Sequence, residues 1–203
     1  MQKQLSDLIK GLDISSIEGD VHHLISDLSY DSRECKAGSL FFALPGLHTD
    51  GKEYIIQAIQ NGSVAVVYEG MLEKRLREFL LKEPLTKAIN PALIQVIDCR
   101  WTMSAISARF FENPSDSLCV IGVTGTEGKS TTVSLIYQLL NATGFKAGFF
   151  STVMSDIGEG EKPNPQHQTT PEATTVQQML AEMRDHGLGF AVVEASSHGL
   201  SPR

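Results

Sequence analysis

The sequence predicts an α/β protein built on largely parallel sheets. Three observations predict it. Short apolar runs suited to strands alternate along the chain with longer runs of helical periodicity, the pattern of strand–helix–strand crossovers. Over residues 118–141 an apolar strand, a glycine-rich turn and a helix follow in immediate succession. A turn signal, Asn113-Pro114-Ser115-Asp116, separates two stretches of alternation, so two parts are expected, 1–112 and 116–203.

In the first part, residues 39–44 and 64–68 read as strands. Residues 52–60 follow an Asp50-Gly51 turn and read as a helix with Tyr54, Ile55, Ala58 and Ile59 on one face. A second helix is expected over 71–81 and a third strand over 93–97. A helix over 101–111 is expected to pack Trp101, Ile106 and Phe110 or Phe111. In the second part, 118–123 reads as a strand, 133–141 as a helix and 147–152 as a strand. A polar loop rich in Gly and Pro is expected over 155–168. The helix over 171–186 places Pro171 in its first turn, where a missing N–H costs nothing. A buried strand over 190–194 completes the alternation, and no internal repeat or low-complexity tract interrupts it.

Composition narrows the classes. The 203 residues are 41% hydrophobic, enough for a sizeable core. No apolar run approaches the roughly 20 residues of a membrane span, and residues 1–10 lack the apolar run of a signal peptide. A net charge of −7 argues against nucleic acid as a main partner. Cys35, Cys99 and Cys119 are too widely spaced for a metal site and too few for an even disulfide set. They read as small buried apolar residues in a reducing compartment.

Residues 121–132 carry the main chemical signal: Ile-Gly-Val-Thr-Gly-Thr-Glu-Gly-Lys-Ser-Thr-Thr. Glycines let the main chain curl so that its N–H groups converge on an anion, and the helix start adds positive dipole. In such a turn Lys129 sits on phosphates and Ser130 on a magnesium ion. The strict phosphate-loop spacing fails by one position, because Val123 stands where a glycine belongs. A second cluster, Glu194-Ala195-Ser196-Ser197-His198-Gly199, follows the apolar strand. Ligands of open α/β sheets sit beyond the carboxyl ends of strands, so Glu194 is a candidate magnesium ligand, or else an exposed strand-end carboxylate. His198 reads equally as a turn cap or a catalytic group. Nucleophilic serine chemistry is disfavoured, because Gly-x-Ser-x-Gly is absent. A third cluster is Gln168-Thr169-Thr170-Pro171-Glu172, where Thr170 is a candidate N-cap and both threonines could bind an anion or carbonyl. A fourth comprises Tyr30-Asp31-Ser32-Arg33, the stretch 38–46 and Asp50-Gly51, which by themselves say turn, strand, turn.

Together these stretches resemble the Mur ligase family, the ATP-dependent amide ligases of peptidoglycan precursor synthesis. Asp31-Ser32-Arg33, Gly38-Ser39-Leu40-Phe41 through Gly46, and Asp50-Gly51 are similar to its uridine-nucleotide domain. Gly125-Thr126-Glu127-Gly128-Lys129-Ser130-Thr131 is similar to its ATP loop, whose spacing departs from the strict pattern in the same way. Thr169-Thr170-Pro171-Glu172 and Glu194 through Leu200 are similar to motifs of its central domain. The resemblance covers nearly the whole chain, in order. It implies a small α/β UDP-binding domain over 1–112, then an incomplete P-loop-type parallel-sheet ATPase domain over 116–203. The branch it is most similar to adds the third residue, a diamino acid, to UDP-MurNAc-L-Ala-D-Glu through an acyl phosphate.

Residue by residue, the resemblance implies that Tyr30, Ser32, Leu47, His48 and Thr49 contact the UDP-sugar. Gly125, Thr126, Glu127, Gly128, Lys129, Ser130 and Thr131 would hold ATP, with Ser130 and Glu194 on Mg²⁺. Thr169, Thr170 and Ser196 would hold the MurNAc-peptide, and Lys129, Glu194 and His198 would form the catalytic set. The implied partners are the UDP-MurNAc-dipeptide and an amino acid, with no nucleic acid and no membrane insertion. The implied setting is cytoplasmic cell-wall synthesis. Glu127 departs from the family's usual asparagine, bringing an acid near the phosphates. Tyr30 departs from an aliphatic residue and offers a ring for stacking. The family continues well past Arg203, through a carbamylated lysine and the pocket that selects the amino acid. The expectation is therefore of a fragment that binds ligand without full catalysis. Two alternatives stand beside this reading: a purely binding, non-catalytic UDP-sugar module, and another ligase of the superfamily, of the folylpolyglutamate synthetase type. The stretch 31–51 argues against the latter, which should lack a UDP-sugar domain.

Overall fold

A computed structural model describes residues 1–46, 49–82, 89–164 and 170–196. The chain divides into two compact units, Met1–Phe110 and Phe111–Arg203.

The first unit runs β1 (Lys3–Gln4), α1 (Leu5–Ile9), β2 (Ile14–Glu18), β3 (Leu24–Ile25), β4 (Asp27–Ser29), β5 (Ser39–Ala43), a 3₁₀ turn (Gly51–Tyr54), α2 (Ile55–Gln60), β6 (Ser63–Glu69), α3 (Lys74–Lys82), β7 (Ala92–Val96) and α4 (Cys99–Phe110). Its main sheet has the order β2-β7-β6-β5-β4. Strands β4 to β7 are parallel, and β2 joins the edge antiparallel to β7. All five residues of β5 are buried, the mark of a strand covered on both faces. Phe41, Ala43, Val66 and Tyr68 pack with Ile55, Ala58, Ile59 and Leu80 on one face. Leu40 and Phe42, at the alternate positions of β5, are fully buried, and α4 packs on β5 and β6.

Several expectations shift here. The helix expected over 52–60 begins as the 3₁₀ turn, where the Asp50 carboxylate accepts from the Lys52 N–H at 3.0 Å. Ile55, Ala58 and Ile59 are buried as expected, but Tyr54 is 40% exposed. Met71 is exposed and α3 starts only at Lys74. Trp101, expected in the core, is 57% exposed. The buried stripe of α4 runs through Cys99, Thr102, Met103, Ile106 and Phe110, at helical spacing that leaves Trp101 off the face. Thr102 and Ser107 are tolerated inside because their hydroxyls donate to the carbonyls of Asp98 (2.8 Å) and Met103 (2.6 Å).

The second unit runs through a 3₁₀ turn (Pro114–Asp116), β8 (Cys119–Val123), α5 (Lys129–Ala142), β9 (Ala147–Phe150), β10 (Met154–Asp156), β11 (Lys162–Pro163), α6 (Ala173–Asp185) and β12 (Phe190–Glu194). Its sheet has the order β11-β10-β9-β12-β8. β12 lies between β9 and β8, parallel to both. Val133 of α5 packs on Phe149 and Val192 on one face. Leu180 and Met183 of α6 pack on Phe150, Ala191 and Val193 on the other.

Of the polar loop expected over 155–168, residues 165–168 lie outside the described residues, and the rest is overturned in part: β10 and β11 form an antiparallel hairpin on β9, making the sheet mixed. Asp156 builds its turn. One carboxylate oxygen accepts from the N–H groups of Gly158 (2.8 Å) and Gly160 (3.0 Å), the other from the Tyr137 hydroxyl (2.7 Å). Burial and this hydrogen bond push the Tyr137 pKa up. The helix over 171–186 starts at Ala173, so Pro171 lies outside its first turn. Among the described residues no helix is long and apolar enough to cross a membrane.

Candidate functional site

In the second unit the glycine turn connects β8 directly to α5, which begins at Lys129, four residues earlier than periodicity indicates. Gly128 makes that possible. It caps the helix at φ +74°, a left-handed conformation that strains a residue with a Cβ. The Thr132 N–H and hydroxyl both donate to the Gly128 carbonyl at 2.9 Å. The Lys129 ammonium lies over the turn, donating to the Thr126 carbonyl at 3.2 Å. Glu127 is exposed, which leaves its charge to water.

The strand order completes the site. Because β12 pairs with β8, Glu194 stands in register with Val123, the last residue before the turn. One Glu194 carboxylate oxygen accepts from the Ser130 hydroxyl and from the Thr152 N–H, each at 2.9 Å. Glu194 is only 2% exposed, so it is no solvent-facing strand-end carboxylate. Ser130 and Glu194 are hard oxygen donors of the kind Mg²⁺ takes, usually one or two per site beside phosphate oxygens. The chemistry of this donor set fits the ion. Among the described residues there is no group of three or more His, Cys, Asp or Glu side chains able to hold a metal.

Thr170 and Ser196 also meet. The Ser196 N–H donates to the Thr170 hydroxyl oxygen at 2.8 Å, and the two hydroxyl oxygens lie 3.1 Å apart. Thr170 is therefore no N-cap. Glu172 holds that position, without a side-chain cap. Thr169 and His198 lie outside the described residues.

The first unit carries a separate cavity of about 420 Å³. It opens past the carboxyl ends of β4, β5 and β7, where α/β sheets bind ligands. Of the expected contacts it gathers Tyr30, Ser32 and Thr49, while Leu47 and His48 lie outside the described residues. It also takes in Arg33 and Phe41 of the fourth cluster, and adds Tyr54, Gln57 and Arg100, which sequence reasoning missed as site residues. Arg100 stood in plain view, in the first turn of the helix after β7. Gln57 had only its polarity on an otherwise apolar helix to mark it.

The Asp31 carboxylate is held below its usual range by the hydrogen bond from Arg33, whose backbone N–H and Nε both reach it at 2.9 Å. Ser32 is 5% exposed, and its hydroxyl donates to Gln57 Oε1 at 2.8 Å. The Asn61 amide donates to the Ser32 carbonyl at 2.8 Å. Gly51 closes the far wall. A Cβ there would lie 2.6 Å from the Leu44 N and O atoms. Burial pushes the Cys35 thiol up and that of Cys99 to about 12, so both are inert. Cys119, expected to be buried, is exposed on β8.

Comparison with known proteins follows the same division. A family profile described as "Mur ligase family, catalytic domain" matches residues 24–111, and one described as "Mur ligase middle domain" matches 123–202. A UDP-N-acetylmuramyl-tripeptide synthetase of Treponema denticola is 49% identical over 99% of this chain and 38% of its own length. A UDP-N-acetylmuramoyl-L-alanyl-D-glutamate–2,6-diaminopimelate ligase of Phocaeicola vulgatus is 34% identical over 98% of this chain and 38% of its own. A solved structure of a ligase with that second name superposes with a TM-score of 0.70 at 25% identity, covering 98% of this chain and 37% of that one. The chain thus spans little more than a third of the length of these relatives.

Proposed function

The chain belongs to the Mur ligase family, and on that premise we propose that it carries the nucleotide-sugar and ATP sites of a ligase of peptidoglycan precursor synthesis. The reaction joins a diamino acid to UDP-MurNAc-L-Ala-D-Glu. ATP phosphorylates the D-Glu carboxylate, and the amine attacks the acyl phosphate and expels phosphate. The names of the similar proteins support this substrate class. The observation that carries the reading is the Ser130–Glu194 contact at the mouth of the glycine turn.

Each residue then has a task. The turn's main chain and the α5 N-terminus receive the ATP phosphates. Lys129 leaves the Thr126 carbonyl to neutralise the charge that spreads over the transferring group, where positioning and electrostatics dominate. Ser130 and Glu194 would hold Mg²⁺, which when bound supplies further positive charge against the phosphate oxygens. The Thr152 N–H fixes the Glu194 carboxylate before ligand arrives. Thr170 and Ser196 receive the peptide end of the substrate, and Tyr30, Ser32 and Thr49 its uridine end. ATP and a UDP-sugar assign the reaction to the cytoplasm.

Thermal shift tests the reading by mass action. UDP-MurNAc-L-Ala-D-Glu and MgATP should each raise the Tm of the chain. Lys129→Ala should abolish the ATP shift and leave the UDP-sugar shift intact. No shift with the UDP-sugar, together with one from a folate, would sink the proposal in favour of the folylpolyglutamate synthetase type.

A further inference from the structure

We propose that Asn164 is a positioning residue for the phosphate site, its amide orienting the peptide unit whose N–H holds the Glu194 carboxylate. The inference rests on the ATP and Mg²⁺ reading of the second unit and adds to it a residue that touches neither ligand.

The Ser151–Thr152 peptide, in the turn between β9 and β10, is gripped on both sides. Its N–H, from Thr152, donates to Glu194 Oε2 at 2.9 Å. Its C=O, from Ser151, accepts from Asn164 Nδ2 at 2.9 Å. A carbonyl oxygen can only accept, so the amide nitrogen of Asn164, not its oxygen, faces Ser151. The hairpin places Asn164, which follows β11 and whose own N–H donates to the Val153 carbonyl at 2.8 Å. Ser151 is 4% exposed and is pinned within the turn, its N–H and hydroxyl both donating to the Met154 carbonyl at 2.9 Å.

Glu194 takes two donors on the same oxygen, the Ser130 hydroxyl and the Thr152 N–H. The hydroxyl swings about a single bond and, on this reading, also serves the cation. The N–H is main chain and turns only with its rigid peptide plane, so it is the donor that fixes the direction of the carboxylate. Glu194 is 2% exposed, so water does not replace that donor when the plane turns. A hydrogen bond accepted by a peptide carbonyl also polarises the peptide and strengthens the bond its N–H donates, by about 10–30%. Asn164 therefore acts twice from behind: it holds the plane and improves the donor.

Calorimetry of the full chain tests this, with Mg²⁺ titrated at fixed ATP. Removing a direct partner of a metal ligand costs about 10–100-fold in metal affinity, so Asn164→Ala, one peptide further out, should raise the half-saturating Mg²⁺ by about three- to tenfold. Asn164→Asp keeps the size but sets a carboxylate against the Ser151 carbonyl, and should be worse than alanine. A residue that merely filled space would give the opposite order, with aspartate near wild type. Amide hydrogen exchange supplies a readout without ligand. The Thr152 N–H should lose protection in both variants while the β12 amides keep theirs, which shows the second unit folded. Wild-type Mg²⁺ dependence in Asn164→Asp, or unchanged Thr152 protection, overturns the proposal and leaves the ATP reading standing. If the aspartate variant unfolds the second unit, Asn164→Ala decides on the same two readouts. If the wild type binds no ATP at any Mg²⁺ concentration, the underlying reading fails and this inference with it.

Discussion

The two units place their candidate sites on very different supports. In the first, the cavity opens beside β5, a strand with a parallel neighbour on each side and buried at every position. In the second, the glycine turn hangs from β8, the edge strand, where Cys119, Val120 and Gly122 are exposed. The helix that follows buries only Val133, and Leu135 and Leu139 are 61% and 66% exposed. One site is shaped by packing. The other is held by a few hydrogen bonds, chiefly those to Glu194. The lesson is that a recognisable motif and a well-supported site are separate properties.

Mutations can break or sharpen that contrast. The largest effect is expected from Phe42→Ala, at a residue with no exposure. It should cost about 3–5 kcal/mol and unfold the first unit selectively. Urea unfolding followed by Trp101, the sole tryptophan, would report this unit. Hydrogen exchange would show β12 unaffected. Glu194→Ala comes next. It leaves the Ser130 hydroxyl and Thr152 N–H without their acceptor, at a cost of about 1–3 kcal/mol. It should also remove the MgATP thermal shift while UDP binding persists.

Two glycines sharpen the comparison further. Gly51→Ala forces a Cβ onto the Leu44 backbone and should cost about 1–3 kcal/mol, with weakened UDP affinity by calorimetry. Gly128→Ala meets open space and carries only left-handed strain, about 1–2 kcal/mol. Its loss should be read mainly in ATP affinity. The smallest effect is Leu139→Ser, expected within about 0.5 kcal/mol in chemical denaturation. A larger loss would show that the outer face of α5 packs against something, and would undo the contrast.

Much of the fold was legible because local periodicity reports which face of an element is buried. Ile55, Ala58, Ile59, Ile106 and Phe110 all lie inside as their spacing indicates. Trp101 misled because size suggests burial while the stripe set by Cys99, Met103 and Ile106 runs past it. The hairpin β10–β11 was invisible because its strands are two or three residues long, and its turn is organised by Asp156. Thr170 read as an N-cap because a hydroxyl before a helix usually is one. Here its partner, Ser196, is 26 residues away.

The sequence by itself determined the alternation of strands and helices, the glycine turn opening a helix, and an acid at the end of an apolar strand. Those follow from neighbours in the chain. Only the tertiary structure decided that β12 inserts between β9 and β8, which sets Glu194 beside Ser130 across 64 positions, and that Ser32 meets Gln57 across 25. Strand order depends on how whole faces bury against each other, and side-chain periodicity within one strand is the same whichever neighbour it takes.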